Sequence, residues 1–211
     1  MAEMLIDNQP IAATFFGEGR FLTSFITPDA LEVRELHNKL IENMSSRDDR
    51  ILACWEWVAN EVRYTPFVKG KLWINGHYST QDDLWNEPSV TIRVKVGNCA
   101  NKAFLLTSLL RNELSADEVY CVLGNLYQPK EGGHAWVEVK LSGQSYIMET
   151  TRADIKPFIP VGLTDIYEAV IYFNDKTVYA IEGRTVLSPF CSVYAEWLRD
   201  YLDWAYIRRR K

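Results

Sequence analysis

The sequence predicts an α+β fold with helices first and an antiparallel sheet second. Three observations carry this. Val33, Leu36 and Leu40, then Ile51, Trp55, Val58 and Val62, recur at helical spacing in the first half of the chain. A third helix, after Cys99, is apolar on most faces and must be buried. From about residue 118 onward the period becomes that of strands, and the joins are short polar turns rather than crossover helices.

Taken in order, residues 1–26 carry no assignable element and suit an extra strand, a partner-binding arm or a self-inhibiting lid. Within them, FLTSFIT (21–27) reads as a short strand or a packed loop. Thr27-Pro28-Asp29 reads as a helix start, with Thr27 as cap and Pro28 first, and Val33, Leu36, Leu40 and Met44 follow. Ser46-Arg47-Asp48-Asp49 has the capping-box form and opens the second helix, which stops at Tyr64-Thr65-Pro66. Residues 66–96 form a long connection with room for short strand or helix pieces, and connections of this length are often functional.

Gly97-Asn98-Cys99 then starts a helix of about 15 residues, judged from its apolar run. EVYCVLGNLY (118–127), HAWVEVKL (134–141) and QSYIMETT (144–151) read as strands, the last two joined by Ser142-Gly143. YEAVIYF (167–173) and TVYAIE (177–182) form a further pair. SVYAEWLRDYLDWAYIRRRK closes the sequence as an amphipathic helix with Trp197, Leu198, Tyr201 and Leu202 on one side.

With 211 residues, no internal repeat and no low-complexity linker, one domain over 1–211 is expected. It divides into an extension and first helix (1–46), a core (47–152), and a hairpin and helix (153–211). The net charge of −5 argues against a nucleic-acid partner. Arg208–Lys211 reads as a solvated helix end. No apolar run is long enough to span a membrane, and the first residues lack the basic start of a secretory signal. Cys54, Cys99, Cys121 and Cys191 are scattered without a CxxC pair, which predicts a reducing, cytoplasmic setting and no zinc site.

Asn98 is a favoured cap, so Cys99 becomes the first helical residue. Its sulfur then faces free N–H groups and the positive end of the helix dipole, which stabilise a thiolate and could hold an oxyanion. If Ser142-Gly143 is a two-residue turn, Leu141 faces Gln144. Trp136 then lies opposite Glu149, and His134 opposite Thr151. Those four residues share one face, with Glu149 a diagonal neighbour of His134, able to orient its imidazole. Trp136 is thereby an auxiliary candidate. His37 reads as an ordinary helix residue and His77 as a turn residue.

The stretches GNCANKAFLLTSLLR, VYCVLG and GGHAWVEVKLSGQSYIMETT resemble the transglutaminase-like superfamily of papain-fold cysteine enzymes. That family shows a G-x-C helix start, an H-A-W-x-E strand and a D-x-T strand. ILACWEWVANEVRYTP resembles the helix that precedes its core, and DDLWNEPSVT the W-x-x-P-x-x-T segment of its bacterial cysteine-proteinase branch. The resemblance implies a papain-like, transglutaminase-like core. It implies Cys99 as nucleophile, His134 as base and then acid, and Glu149, where the family usually has Asp, as the orienting carboxylate. It also implies an oxyanion donor upstream of the cysteine. Trp85, Trp73 and Gln81 are candidates, Trp85 preferred from its place in the W-x-x-P segment, although a core aromatic would read the same. Calcium-dependent members surround the cysteine with carboxylates. Asn98, Ala100 and Asn101 stand there in this chain, so no calcium is expected.

Such a site performs acyl transfer through a thioester, with no cofactor. A thiol hydrolase (cysteine peptidase or amidase) acting on a peptide or protein is the leading expectation. A protein-glutamine transferase or deamidase is the alternative, and a catalytically silent peptide-binding module the reading of another class. Oligomeric state is left open.

Overall fold

The helix that starts at Cys99 lies at the centre of the packing. The computed structural model describes residues 2–6, 9–13, 20–66, 68, 70–74, 77–81, 84–129 and 131–184. The elements in chain order begin with strands β1 (Ala2–Ile6) and β2 (Gln9–Ala13). Helices α1 (Arg20–Thr23), α2 (Leu31–Ile41) and α3 (Arg47–Glu61) follow. Next come β3 (Arg63–Tyr64), β4 (Gly70–Ile74), β5 (His77–Gln81), α4 (Pro88–Val94), β6 (Val96–Gly97) and α5 (Cys99–Leu110). The second half holds β7 (Val119–Leu126), β8 (Gly132–Leu141), β9 (Gln144–Met148), β10 (Ile159–Pro160), β11 (Tyr167–Phe173) and β12 (Val178–Ala180).

The expected α+β class is the observed one, although strands β1 to β6 also lie among the helices of the first half. A six-stranded antiparallel sheet runs β10-β9-β8-β7-β11-β12, and α5 packs on β7 and β8. Every residue of α5 from Ala100 to Leu110 is buried, as its all-round apolar sequence requires. Phe104 is the hub, stacked on Phe25 at 4.9 Å and edge-on to Trp85 at 5.4 Å and Phe173 at 5.9 Å. Helices α2, α3 and α4 surround α5. No helix among the described residues is long and apolar enough to cross a membrane.

Several local expectations are corrected. The 21–27 stretch is neither strand nor loop throughout: Arg20–Thr23 form the short α1, and a turn follows. The next helix begins at Leu31, not Pro28. Thr27 N–H donates to Ser108 Oγ at 3.0 Å, and Ala30 N–H closes a turn on Thr27 O at 3.2 Å. Thr-Pro-Asp here is a β-turn with Pro at its second position, a role the same residues serve as well as a cap. Met44 lies beyond that helix, which ends at Ile41. The helix at Cys99 has 12 residues rather than about 15. The 66–96 connection contains β4, β5 and α4, and β4 pairs with β1 to join the N-terminal hairpin in a four-stranded sheet. The C-terminal amphipathic helix, Cys191 and the Arg208–Lys211 run lie outside the described residues.

The Ser142-Gly143 turn is a two-residue hairpin with φ of 50° and 82°, and it sets Leu141 opposite Gln144 as expected. Pairing stops at Val137↔Met148, however, so Trp136–Glu149 and His134–Thr151 are not ladder pairs. Trp55 Nε1 donates to the Glu149 carbonyl at 2.6 Å and takes it out of the sheet. On the other side of β8, Gly124 pairs with His134. A Cβ at Gly124 would lie 2.1 Å from the Glu168 carbonyl oxygen and 2.5 Å from the Trp136 ring, so glycine permits this approach.

Candidate active site

Asn98 caps α5: its Oδ1 accepts the Asn101 N–H at 3.0 Å. This leaves Cys99 at the first helical position, partly exposed at the end of an otherwise buried helix, and its thiol is free. The segment before α4 is tied to the same turn. Asn86 N–H donates to Asn101 Oδ1 at 2.7 Å, and Asn101 Nδ2 donates to the Leu84 carbonyl at 3.0 Å.

His134, buried near the start of β8, is hydrogen-bonded to Glu149, with Nε2 to Oε2 at 2.8 Å, and is near enough to Cys99 to be influenced by it. Glu149 is not a solvated strand charge. Its Oε1 accepts both the backbone N–H and the hydroxyl of Thr151, each at 2.7 Å. Its Oε2 also accepts the Tyr167 hydroxyl at 3.1 Å. Burial pushes the Glu149 carboxyl up, but His134 and Thr151 outweigh it and bring the pKa down to about 2. Burial likewise opposes charge on His134, yet Glu149 and Cys99 raise its pKa to about 10. With the carboxylate ionised, Nε2 carries a proton and donates it.

The sequence candidates Cys99, His134 and Glu149 are thus brought together. Trp136 stacks on His134 with centroids 6.1 Å apart, but its Nε1 donates to Glu138 Oε1 at 3.1 Å. It packs on the imidazole, and its N–H is engaged by Glu138. Trp85 is fully buried against Phe25 and Phe104. Trp73 and Gln81 sit in β4 and β5, and their side chains lie outside what is described. His37 Nε2 lies 2.9 Å from Glu113 Oε1, away from the cysteine, and keeps its ordinary reading. Among the described residues no three His, Cys, Asp or Glu side chains are grouped to hold a metal ion.

Three residues escaped the sequence reading. Tyr167 donates to Glu149, and its ring packs on those of His134 and Trp136 at 6.2 and 5.2 Å. Trp55 holds the Glu149 carbonyl. Lys102 is buried one turn after Cys99. Of these, only Lys102 left a trace in the sequence: a cation inside an apolar helix.

The transglutaminase-like superfamily profile matches residues 34–149, more than half of the chain. The protein belongs to the transglutaminase-like superfamily. Membership supports, in general terms, a cysteine-based acyl-transfer function. Solved structures similar to this superfamily member include Legionella pneumophila LapG, at 14% identity and TM-score 0.47 over 82% of this chain and 96% of that one. The calcium-bound form of LapG gives 14% identity and TM-score 0.43 over 81% and 99%. A candidate cysteine protease from Cytophaga hutchinsonii gives 18% identity and TM-score 0.46 over 79% of this chain and 55% of that one. No curated protein matches by sequence.

The cytoplasmic location expected from the cysteines does not stand. Cys54 and Cys121 are fully buried core thiols, so their unpaired state reports packing and not a reducing compartment.

Proposed function

We propose that this superfamily member is a thiol hydrolase that cleaves peptide or side-chain amide bonds through a thioester. The observation that carries the reading is the buried His134–Glu149 hydrogen bond of 2.8 Å, with Cys99 acting on the same imidazole. Cys99 is the nucleophile, and Glu149 holds the protonated imidazole of His134. The thiolate attacks the substrate carbonyl carbon, forming the C–S bond. As the C–N bond breaks, the imidazolium gives its proton to the leaving amine. Neutral His134 then takes a proton from water. The resulting C–O bond replaces the C–S bond, and the thiolate–imidazolium pair is restored.

At the oxyanion, the start of α5 supplies donors. The cap takes the Asn101 N–H and the helix takes that of Lys102, while the N–H groups of Cys99 and Ala100 precede both. Trp85 remains the preferred side-chain candidate on the strength of its W-x-x-P segment, which also supports placing the chain in the bacterial cysteine-proteinase branch.

The test is a screen of peptides and glutamine amides with the wild type and Cys99→Ala, read by mass spectrometry and ammonia release. Peptide cleavage or amide hydrolysis lost in Cys99→Ala supports the reading. Amine incorporation would assign a transferase, ammonia release from protein glutamine alone a deamidase, and binding without turnover a silent module.

A further inference from the structure

Helix α5 carries a second ionisable residue on the turn that bears Cys99. Lys102 is 1% exposed, and its Nζ donates to the carbonyls of Val62 at 2.6 Å and Ala59 at 3.2 Å. Both carbonyls belong to the C-terminal end of α3, where a cation is favoured by unpaired C=O groups and the helix dipole. Trp55, which holds the Glu149 carbonyl, lies on the same face of α3 as Ala59 and Val62, since the spacings are four and three. One helix face therefore anchors both the buried ammonium and the backbone of the buried carboxylate.

The charges in this layer are few. Cys54 on α3 is a thiol pushed up to about 12 by burial and by Glu113. Cys121 on β7 is raised by burial as well, and the Tyr167 hydroxyl is raised by burial and by Glu149. All three are neutral at pH 7. Glu113 pairs with Arg50 at 2.9 Å beyond the far end of α5, reaching this layer only at Cys54. The remaining groups are Cys99, His134, Glu149 and Lys102. The Glu149 carboxylate and the His134 imidazolium balance each other; a negative charge formed at Cys99 during the reaction is then matched by Lys102, and without it would stand uncompensated beside the core.

We propose that Lys102 is the buried counter-charge of the Cys99–His134–Glu149 group, a positioning residue that favours the thiolate. This rests on the catalytic reading above. Burial lowers the Lys102 pKa and Glu149 offsets part of that, leaving it at about 8, so the ammonium is charged at neutral pH and Glu149 acts on it through space.

The test compares Lys102→Gln, Lys102→Met and Lys102→Arg by the pH dependence of iodoacetamide alkylation at Cys99, followed by peptide mass spectrometry. Gln keeps a donor for the α3 carbonyls without the charge, Met keeps only the chain, and Arg keeps the charge. Loss of the charge moves the acid limb of alkylation up by about one pH unit, a tenfold slower reaction at fixed pH below it, and Arg restores it. A lower melting temperature with an unmoved limb in Lys102→Gln and Lys102→Met would overturn the proposal and leave Lys102 a helix-end prop. If wild type shows no alkylation below pH 7, the catalytic reading fails instead. In wild type itself, 13Cε NMR must find Lys102 charged at pH 7, and a neutral Lys102 there would also overturn the proposal. That measurement stands even if the charge-free variants do not fold.

Discussion

His134 Nε2 and Glu149 Oε2 are 2.8 Å apart, both side chains are buried, and the carboxylate is filled by its remaining donors, Thr151 and Tyr167. A buried ion pair contributes when its lone pairs are all satisfied, and removing one partner then strands a charge. Glu149 meets that condition although its strand ends one residue earlier.

The pair should impose a pH window on stability. Glu149 is held below its ordinary value, so its contribution is present above about 4.3 and is lost as pH falls toward about 2. His134 is held above its ordinary value, so its contribution is complete below about 6.5 and is lost as pH rises through about 10. Glu149→Gln should therefore cost most between these bounds, about 3 kcal/mol. Urea unfolding at pH 5.5 and pH 9.5 checks this: the gap to wild type narrows at the higher pH, and a constant gap would contradict the pairing.

Tyr167→Phe removes one donor from Glu149 and leaves the ring packed on His134 and Trp136. Loss of a hydrogen bond to a charged group should cost about 1.5 kcal/mol of stability. It should lower kcat more than it raises KM, because the tyrosine acts through the carboxylate. Unchanged stability and kinetics would show that Thr151 alone holds Glu149.

Gly124→Ala should destabilise the sheet at the His134 position, since its Cβ would meet the backbone of Glu168. Gly132→Ala on the neighbouring strand has open space around it and serves as the control. Thermal unfolding should separate them by about 2 kcal/mol or more, as expected for overpacking against backbone. Equal melting temperatures would contradict the close approach of β7 and β11.

Much of the site was legible because short-range rules governed it. Asn98 before an apolar run specified the cap and the position of Cys99. Ser142-Gly143 specified hairpin parity, hence the register of β8 and β9. What escaped depends on long-range packing. Nothing local marks Tyr167 as a partner of Glu149, because that contact needs β11 placed beside β7. Trp55 reads as one apolar position among several until its indole finds the Glu149 carbonyl. Thr27-Pro28-Asp29 misled because a turn and a helix start use the same residues. The cysteine pattern misled for another reason: core thiols at Cys54 and Cys121 stay unpaired wherever the protein resides.

The most direct test of the account is the rate of iodoacetamide alkylation at Cys99 between pH 4 and 9, in wild type and His134→Ala, read by mass spectrometry of the Cys99 peptide. A thiolate–imidazolium pair predicts fast alkylation of wild type below pH 7. His134→Ala should then react only as pH approaches the free-thiol value of about 8.5. Wild type reacting only near that value, with the variant superimposed on it, would contradict the account.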